Sequence, residues 1–454
     1  VRILLATYWS LPHVGGVWSY IEVLKRRLEQ DGHQVDIFGR HPHRPGYYLL
    51  TSGQVLERSA LTASVETPVR QYYRQHYPQL DAHVVEQEVE RSCFEAAACY
   101  FGATGYDLLH THDVISTRAL WRVKPAEVPL VATIHGNLAM EYLTFLGTEQ
   151  PPATLTWQHM YLREYFGAAS SDLTIVPTRW LKRELSAAYG VSAEHLLVIP
   201  YGMEADRFRQ KMAEATDLSP PAGKKLIICP ARLVKVKGHA DLLDALALLR
   251  KRRSDWICWL VGDGDQRKLL EQQTAALSLA EHVRFLGNRH DVPALLKQAD
   301  IFVLPSKHDT LPFAVMEAQL AAKPIVVSDA GGLPEMVRHE QTGLLYRKGN
   351  SEELCGCLER LLADERLRRQ LAANGHRWGK RQWSLEIMLQ RIKAAYELAR
   401  KRVSELKTRP APADQPAAVP PLPLASAIDG VRLPVPAQYS LVDQAFLQAL
   451  LERR

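Results

Sequence analysis

Short apolar runs alternate with amphipathic segments along this chain, and the alternation occurs twice. Residues 3–7, 34–38, 107–111, 130–134, 173–176 and 196–199 read as strands, and residues 16–29 and 178–189 as helices. Strands apolar along their length and separated by helices need cover on both faces, which selects βαβ units around a parallel sheet. The turn Pro200-Tyr201-Gly202 ends this set. Five further runs, 226–229, 257–261, 283–286, 301–304 and 325–327, each lead into a helical stretch or a Gly-rich turn and predict a second α/β domain. A chain of 454 residues is long enough for both cores and a remainder.

The expected divisions are a first domain over 1–205, a second over 206–382, and a further helix over 383–406. Residues 407–454 differ in kind. Pro410, Pro412, Pro416, Pro420, Pro421, Pro423, Pro434 and Pro436 predict an extended, mobile linker. Residues 440–451 then read as a short amphipathic helix, either a strap packed on the body or a docking peptide. Between the first strands, residues 40–105 and 136–165 read largely as loops.

Composition excludes several classes. Hydrophobic content of 46% and charged content of 23% exclude bulk disorder. A net charge of +6 permits phosphate-bearing ligands or an anionic membrane surface without requiring either, and nothing selects nucleic acid. The six cysteines form no CxxC pair, so neither a disulfide framework nor a zinc site is expected. With no apolar run of 18 residues, the expected location is the cytoplasm.

The chemistry concentrates in residues 305–334. An apolar strand exits into a polar loop holding Asp309, and a helix opening near Pro312 carries Glu317. Carboxylates beside the backbone N–H groups of a helix start suit a ligand both anionic and hydroxyl-rich. Arg232 and Lys237 follow another strand, where they can clamp a diphosphate; the plainer reading is a solvated basic loop. Gly15-Gly16 opens the first helix and lets backbone approach a phosphate. Neither this turn nor Gly262-Asp263-Gly264 completes G-x-G-x-x-G, which disfavours a nicotinamide dinucleotide. Asp263 and Asp265 have DxD spacing, and His110 and His112 share a strand face. Turn and cap duties explain the first more simply than a metal, and the second lacks further ligands. His135 emerges from a strand end, as a structural histidine or as a donor to a sugar hydroxyl.

Together these residues resemble the retaining glycosyltransferases of family 4, whose GT-B architecture sets two Rossmann-like doubly wound domains across a cleft. The resemblance runs from residue 1 to about 400 and rests most on Asp309, seven residues, then Glu317-Ala318. Supporting pieces are Gly15-Gly16, Thr133 to Gly136, Val176-Pro177-Thr178, Ile199 to Gly202, Arg232 with Lys237, Val261 to Gly264, and Gly331 to Glu335. It implies that Arg232 and Lys237, with the Gly16 backbone, hold the donor diphosphate and that Glu317 binds ribose. It also implies that Asp309 and the backbone of Thr310, Leu311, Pro312 and Phe313 read the sugar, with the base near Gly262, Asn288 and Arg289. His135, Arg232, Lys237 and Asp309 are the implied catalytic set. Three departures stand out: Asp309 where Glu is usual, Tyr201 where Asn is frequent, and Gly136 where Asp is frequent.

The implied reaction is front-face transfer from a nucleotide-sugar, UDP-linked by family frequency, in cell-surface glycan or glycoconjugate synthesis. No cofactor or obligatory metal is expected. The resemblance further implies that the helix over 383–406 crosses back onto the first domain and that acceptor specificity lies in residues 40–105 and 136–165, where Met140 to Leu143 and Tyr161 suit either a hydrophobic acceptor site or core. The acceptor is left open among glycan, lipid and small molecule, and the tail is the place for a protein partner or for peripheral attachment at the inner membrane face. The alternatives are a disaccharide synthase or sugar phosphorylase of the same fold, and a catalytically silent assembly module recruited through the tail.

Overall fold

The computed structural model describes residues 1–12, 15–148, 150–406, 422–434, 436 and 439–452. Two sheets organise it. The first has eight strands in the order β4-β3-β2-β1-β5-β6-β7-β8. Its strands are β1 (Arg2–Ser10), β2 (Gln34–Arg40), β3 (Gly46–Leu49), β4 (Gln54–Glu57), β5 (Leu108–Thr111), β6 (Leu130–Thr133), β7 (Leu173–Val176) and β8 (Leu196–Val198). All pairs are parallel except β2 with β3 and β3 with β4, which add an antiparallel edge.

The second sheet is wholly parallel, ordered β11-β10-β9-β12-β13-β14. It comprises β9 (Lys225–Pro230), β10 (Trp256–Val261), β11 (Val283–Phe285), β12 (Ile301–Leu304), β13 (Ile325–Ser328) and β14 (Leu344–Tyr346). Residues 226–230, 256–261 and 301–304 are buried without a break, as strands covered on both faces must be. The fold is therefore mixed α/β with two Rossmann-like sheets.

Residues 40–105 depart from the loop reading. They hold β3, β4 and the helices Thr67–His76 and Ala82–Tyr100. Four-residue strands are too short to show a period. The helix Ala82–Tyr100 hides its pattern by burying Glu88, Arg91 and Glu95 among its apolar residues. Residues 136–165 likewise carry the helix Leu138–Leu146 and most of Leu155–Ala169.

The helix Leu385–Leu406 lays Leu385, Met388, Leu389, Ile392, Ala395, Tyr396, Ala399 and Val403 into the body, one stripe at three- and four-residue spacing. Its Tyr396 hydroxyl meets His110 Nδ1 at 2.8 Å on β5, so this late helix completes the first domain. One apolar cluster includes Tyr20 and Tyr201 of the first domain, Leu311 and Val315 of the second, and Leu385 and Met388 of this helix.

The expected linker at Pro410, Pro412, Pro416, Pro420 and Pro421 lies outside the described residues. Beyond it the chain is a strap. The helix Gln444–Glu452 buries Phe446, Leu447 and Leu450 against the first domain. Asp443, 1% exposed, takes a forked pair of bonds from Arg118, Nε at 2.7 Å and Nη2 at 2.9 Å, and Arg122 Nη1 lies 3.2 Å away. Arg91 and Ser92 donate to the Leu441 carbonyl.

Candidate active site

Open α/β sheets take ligands outside the carboxyl ends of their strands, where strand order reverses. Those points lie between β9 and β12 in the second sheet and between β1 and β5 in the first. Arg232 and Lys237 follow β9, Asp309 follows β12, Gly15-Gly16 follows β1, and His135 follows β6.

A single turn, Lys235–Lys237, ends at Gly238, whose φ is 69°. A Cβ there would stand 2.0 Å from the Pro305 carbonyl oxygen, so only glycine lets the exits of β9 and β12 touch. Lys237 Nζ consequently meets Asp309 Oδ2 at 2.6 Å, and Ser306 Oγ donates to the same oxygen at 2.9 Å. From the other side Gly331, with φ 59°, brings its backbone under the Asp309 carbonyl, where a Cβ would be 2.0 Å away. The Gly332 N–H donates to that carbonyl at 2.9 Å. Asp309 is thus fixed at main chain and side chain. Arg232, by contrast, is exposed, and its side chain has no hydrogen bond or ion pair among the described residues.

Thr310 and Leu311 are buried, and Pro312 precedes the helix Phe313–Leu320, whose first turn has no side-chain cap. Its leading N–H groups and the positive end of its dipole suit an anion or a hydroxyl oxygen. Glu317, one turn on, makes no side-chain hydrogen bond among the described residues. Burial pushes its carboxyl up to about 7, with Lys211 opposing. Partly exposed and given no protein partner among the described residues, this carboxyl accepts hydroxyls once it is ionised.

The first domain faces this loop closely. A Cβ at Gly16 would stand 3.0 Å from Phe313 Cδ2, so the Gly15-Gly16 turn lies against the start of the helix Phe313–Leu320. His135 is partly buried, and burial holds its imidazole down to about 3, hence neutral. Both its ring nitrogens face protein groups: Nδ1 lies 2.6 Å from the Tyr201 hydroxyl and Nε2 lies 3.3 Å from His112 Nδ1.

Toward the sheet edge, Gly262 follows β10 and accepts a place beside Gly287 through an N–H to carbonyl bond of 2.8 Å. Asn288 is exposed after β11. The Arg289 guanidinium is taken up by Asp291, at 2.8 and 2.6 Å, and by Asp217. Asp263 serves the turn, accepting from Gly264 N–H at 2.8 Å and from Arg267 at 3.0 Å. No cluster of three or more His, Cys, Asp or Glu side chains among the described residues could hold a metal ion.

Three residues join the cleft that sequence reasoning did not place there. Tyr201 sits at its base; the sequence marked it only as an unusual turn residue. Glu141, on the helix Leu138–Leu146, puts Oε1 3.4 Å from a Cβ built on Gly136 and feels the charges of Lys237, Arg232 and Asp309. In sequence the stretch Met140 to Leu143 suits an acceptor wall or core alike, and nothing local distinguishes the Glu141 carboxylate within it. Glu335 reaches across the domains to the helix Arg179–Ala187, accepting from Arg179 N–H at 3.0 Å and from Trp180 N–H.

Comparison with known proteins places this geometry. The family described as Glycosyltransferase Family 4 matches residues 14–207, and the family described as Glycosyl transferases group 1 matches residues 211–378. An MMP alpha-(1->4)-mannosyltransferase of Mycolicibacterium hassiacum is 26% identical over 437 residues, covering 89% of this chain and all of the relative. A D-inositol 3-phosphate glycosyltransferase of Corynebacterium aurimucosum is 27% identical, covering 77% of this chain and 83% of the relative. Among solved structures, Anabaena HepE with UDP-glucose superposes at TM-score 0.63 with 22% identity, over 87% of this chain and 99% of HepE. Sucrose-phosphate synthase of Thermosynechococcus elongatus superposes at 0.64 with 20% identity, over 87% and 98%. With the two family matches falling one on each Rossmann-like sheet, the chain belongs to the family 4 glycosyltransferases of GT-B fold.

Proposed function

We propose that this enzyme moves a hexose from a nucleotide-diphosphate donor, UDP-linked, to an acceptor hydroxyl with retention of configuration, in the synthesis of a cell-surface glycan or glycoconjugate. The observation that carries the reading is the convergence of Arg232, Lys237, Asp309 and the open first turn of the helix Phe313–Leu320 at one strand-order reversal, opposite Gly15-Gly16. Arg232 and Lys237 take the diphosphate, Glu317 the ribose, and Asp309 the transferred sugar. UDP is favoured because HepE was solved with UDP-glucose, whereas some curated relatives are named for GDP-mannose.

In front-face substitution the bond from the anomeric carbon to the diphosphate oxygen breaks as the acceptor oxygen bonds to the same face. The acceptor proton passes to the departing phosphate oxygen. Charge therefore grows on the diphosphate, where the cations of Arg232 and Lys237 stabilise the transition state more than the ground state. Lys237 then lies between Asp309 and the leaving group and orients sugar and phosphate together.

A thermal-shift panel of UDP-, GDP- and ADP-sugars tests the donor. Nucleoside-diphosphate release and the anomeric proton coupling of the product then test transfer and stereochemistry. Stabilisation by UDP-sugars and a retained anomer are expected; no shift with any donor, or an inverted product, overturns the reading.

A further inference from the structure

Tyr201 stands where the first domain hands over to the second, and it is held tightly there. The next residue's N–H, on Gly202, points to Met388 Sδ at 3.0 Å, and a Cβ on Gly202 would strike Leu385 Cα at 2.4 Å. Met203 N–H donates to the Trp383 carbonyl at 3.0 Å. The backbone is therefore clamped on the crossing helix, and the side chain has one place to go.

That place touches both walls of the cleft. Its ring lies parallel to Phe313, 8° between planes and 5.2 Å between centroids, at the first residue of the donor-side helix. Its hydroxyl lies 2.6 Å from His135 Nδ1. Burial raises the Tyr201 phenol well above its ordinary range, so it keeps its proton, and Nδ1 is the acceptor the structure offers it. His135 is then the tautomer with its proton on Nε2, facing His112 Nδ1 at 3.3 Å. The chain of contacts ends at His112 Nε2, which is buried without a partner among the described residues. The adjoining residue, Gly136, is the one whose Cβ would lie 3.4 Å from Glu141 Oε1 and 3.8 Å from Thr310 Oγ1, so a tilt of His135 moves the turn that faces the sugar-reading loop.

We propose that Tyr201 is a positioning residue that couples the two halves of the site: its hydroxyl fixes the imidazole of His135, its ring fixes Phe313, and the donor loop and the acceptor-side turn shift together. The turnover arm of the test rests on the proposed glycosyl transfer; the spectroscopic arm does not.

The variants are Tyr201→Phe, which keeps the stack and loses the hydroxyl, Phe313→Leu, which loses the stack, His135→Asn, and the double variant Tyr201→Phe/His135→Asn. Histidine side-chain ¹⁵N spectra report tautomers directly. Tyr201→Phe is expected to release Nδ1 and change the His135 pattern, and Phe313→Leu to move the same resonances from the other domain. Nucleoside-diphosphate release from the donor that gives the largest thermal shift is expected to fall about tenfold in Tyr201→Phe, with donor KM within about twofold. The double variant should be no slower than His135→Asn alone. Unchanged His135 resonances in Tyr201→Phe, or losses that multiply in the double variant, overturn the proposal. If the wild type turns over no donor, the functional reading fails while the spectra still decide the role of Tyr201.

Discussion

Glu335 supplies half of a helix cap from the wrong domain. The helix Arg179–Ala187 has four leading N–H groups to satisfy, and its own Thr178 side chain accepts only that of Leu181, at 3.1 Å. Those of Arg179 and Trp180 are met by the two oxygens of Glu335 across the cleft. Replacing Glu335 by Gln leaves one accepting oxygen and removes the charge at the helix start. One hydrogen bond is worth about 1 kcal/mol and an anion at a helix N-terminus about 0.3–1 kcal/mol. The Glu335 side chain is 29% exposed, which keeps the sum near the lower end, about 1.4 kcal/mol. That energy belongs to the closed arrangement alone, so the open-to-closed ratio should rise about tenfold. Small-angle scattering of Glu335→Gln should show a larger radius of gyration or a larger donor-induced compaction than the wild type, and calorimetry a donor Kd weakened up to about tenfold. Identical scattering and identical donor affinity in Glu335→Gln would refute the account of Glu335 as a closing contact.

Lys237→Ala should retain the fold and lower nucleoside-diphosphate release at least about tenfold, because it removes one of two cations from the leaving group and leaves Asp309 without its ion pair. Glu317, held up to about 7 by burial, makes the empty protein lose stability as pH rises from about 4.5 to about 7, since the unfolded chain releases that proton first. Glu317→Gln should flatten this part of the Tm-against-pH curve, and donor affinity in the wild type should strengthen over the same interval as the accepting carboxylate forms. Asp443→Ala should lower the urea midpoint by an amount equivalent to about 3–5 kcal/mol, because it leaves Arg118 buried without its counter-charge and Arg122 with Glu95 alone. Burial works to raise the Asp443 carboxyl, but Arg122 and Arg118 hold it far below the usual range, so the wild-type contact should be lost only in strong acid.

What could be read from the chain was what is local. The strands of the second sheet announce themselves as unbroken apolar runs, and Arg232, Lys237, Asp309 and Glu317 lie within about a dozen residues of a strand end whose position those runs predict. Other features depend on residues far apart in sequence. Glu335 meets Arg179 over a separation of 156 residues and Tyr201 meets His135 over 66, and neither pair has a local pattern to betray it. The place of His135 at a strand end is legible in sequence, whereas the two groups facing its ring nitrogens are not. The terminal segment offered two readings from one amphipathic pattern; burial of Asp443 between two arginines is what makes it a strap, and no periodicity encodes a partner 325 residues away.

The crossing helix and the strap have a consequence for the order of events during synthesis. The second sheet is built from one uninterrupted stretch, β9 to β14, and all its strands have left the ribosome before Leu385 appears. The first sheet emerges earlier but lacks the cover of the helix Leu385–Leu406 and of Phe446, Leu447 and Leu450 until hundreds of residues later. Until then, the apolar surfaces that these segments cover stay open to solvent and to chaperones, so the domain that begins first is the one completed last.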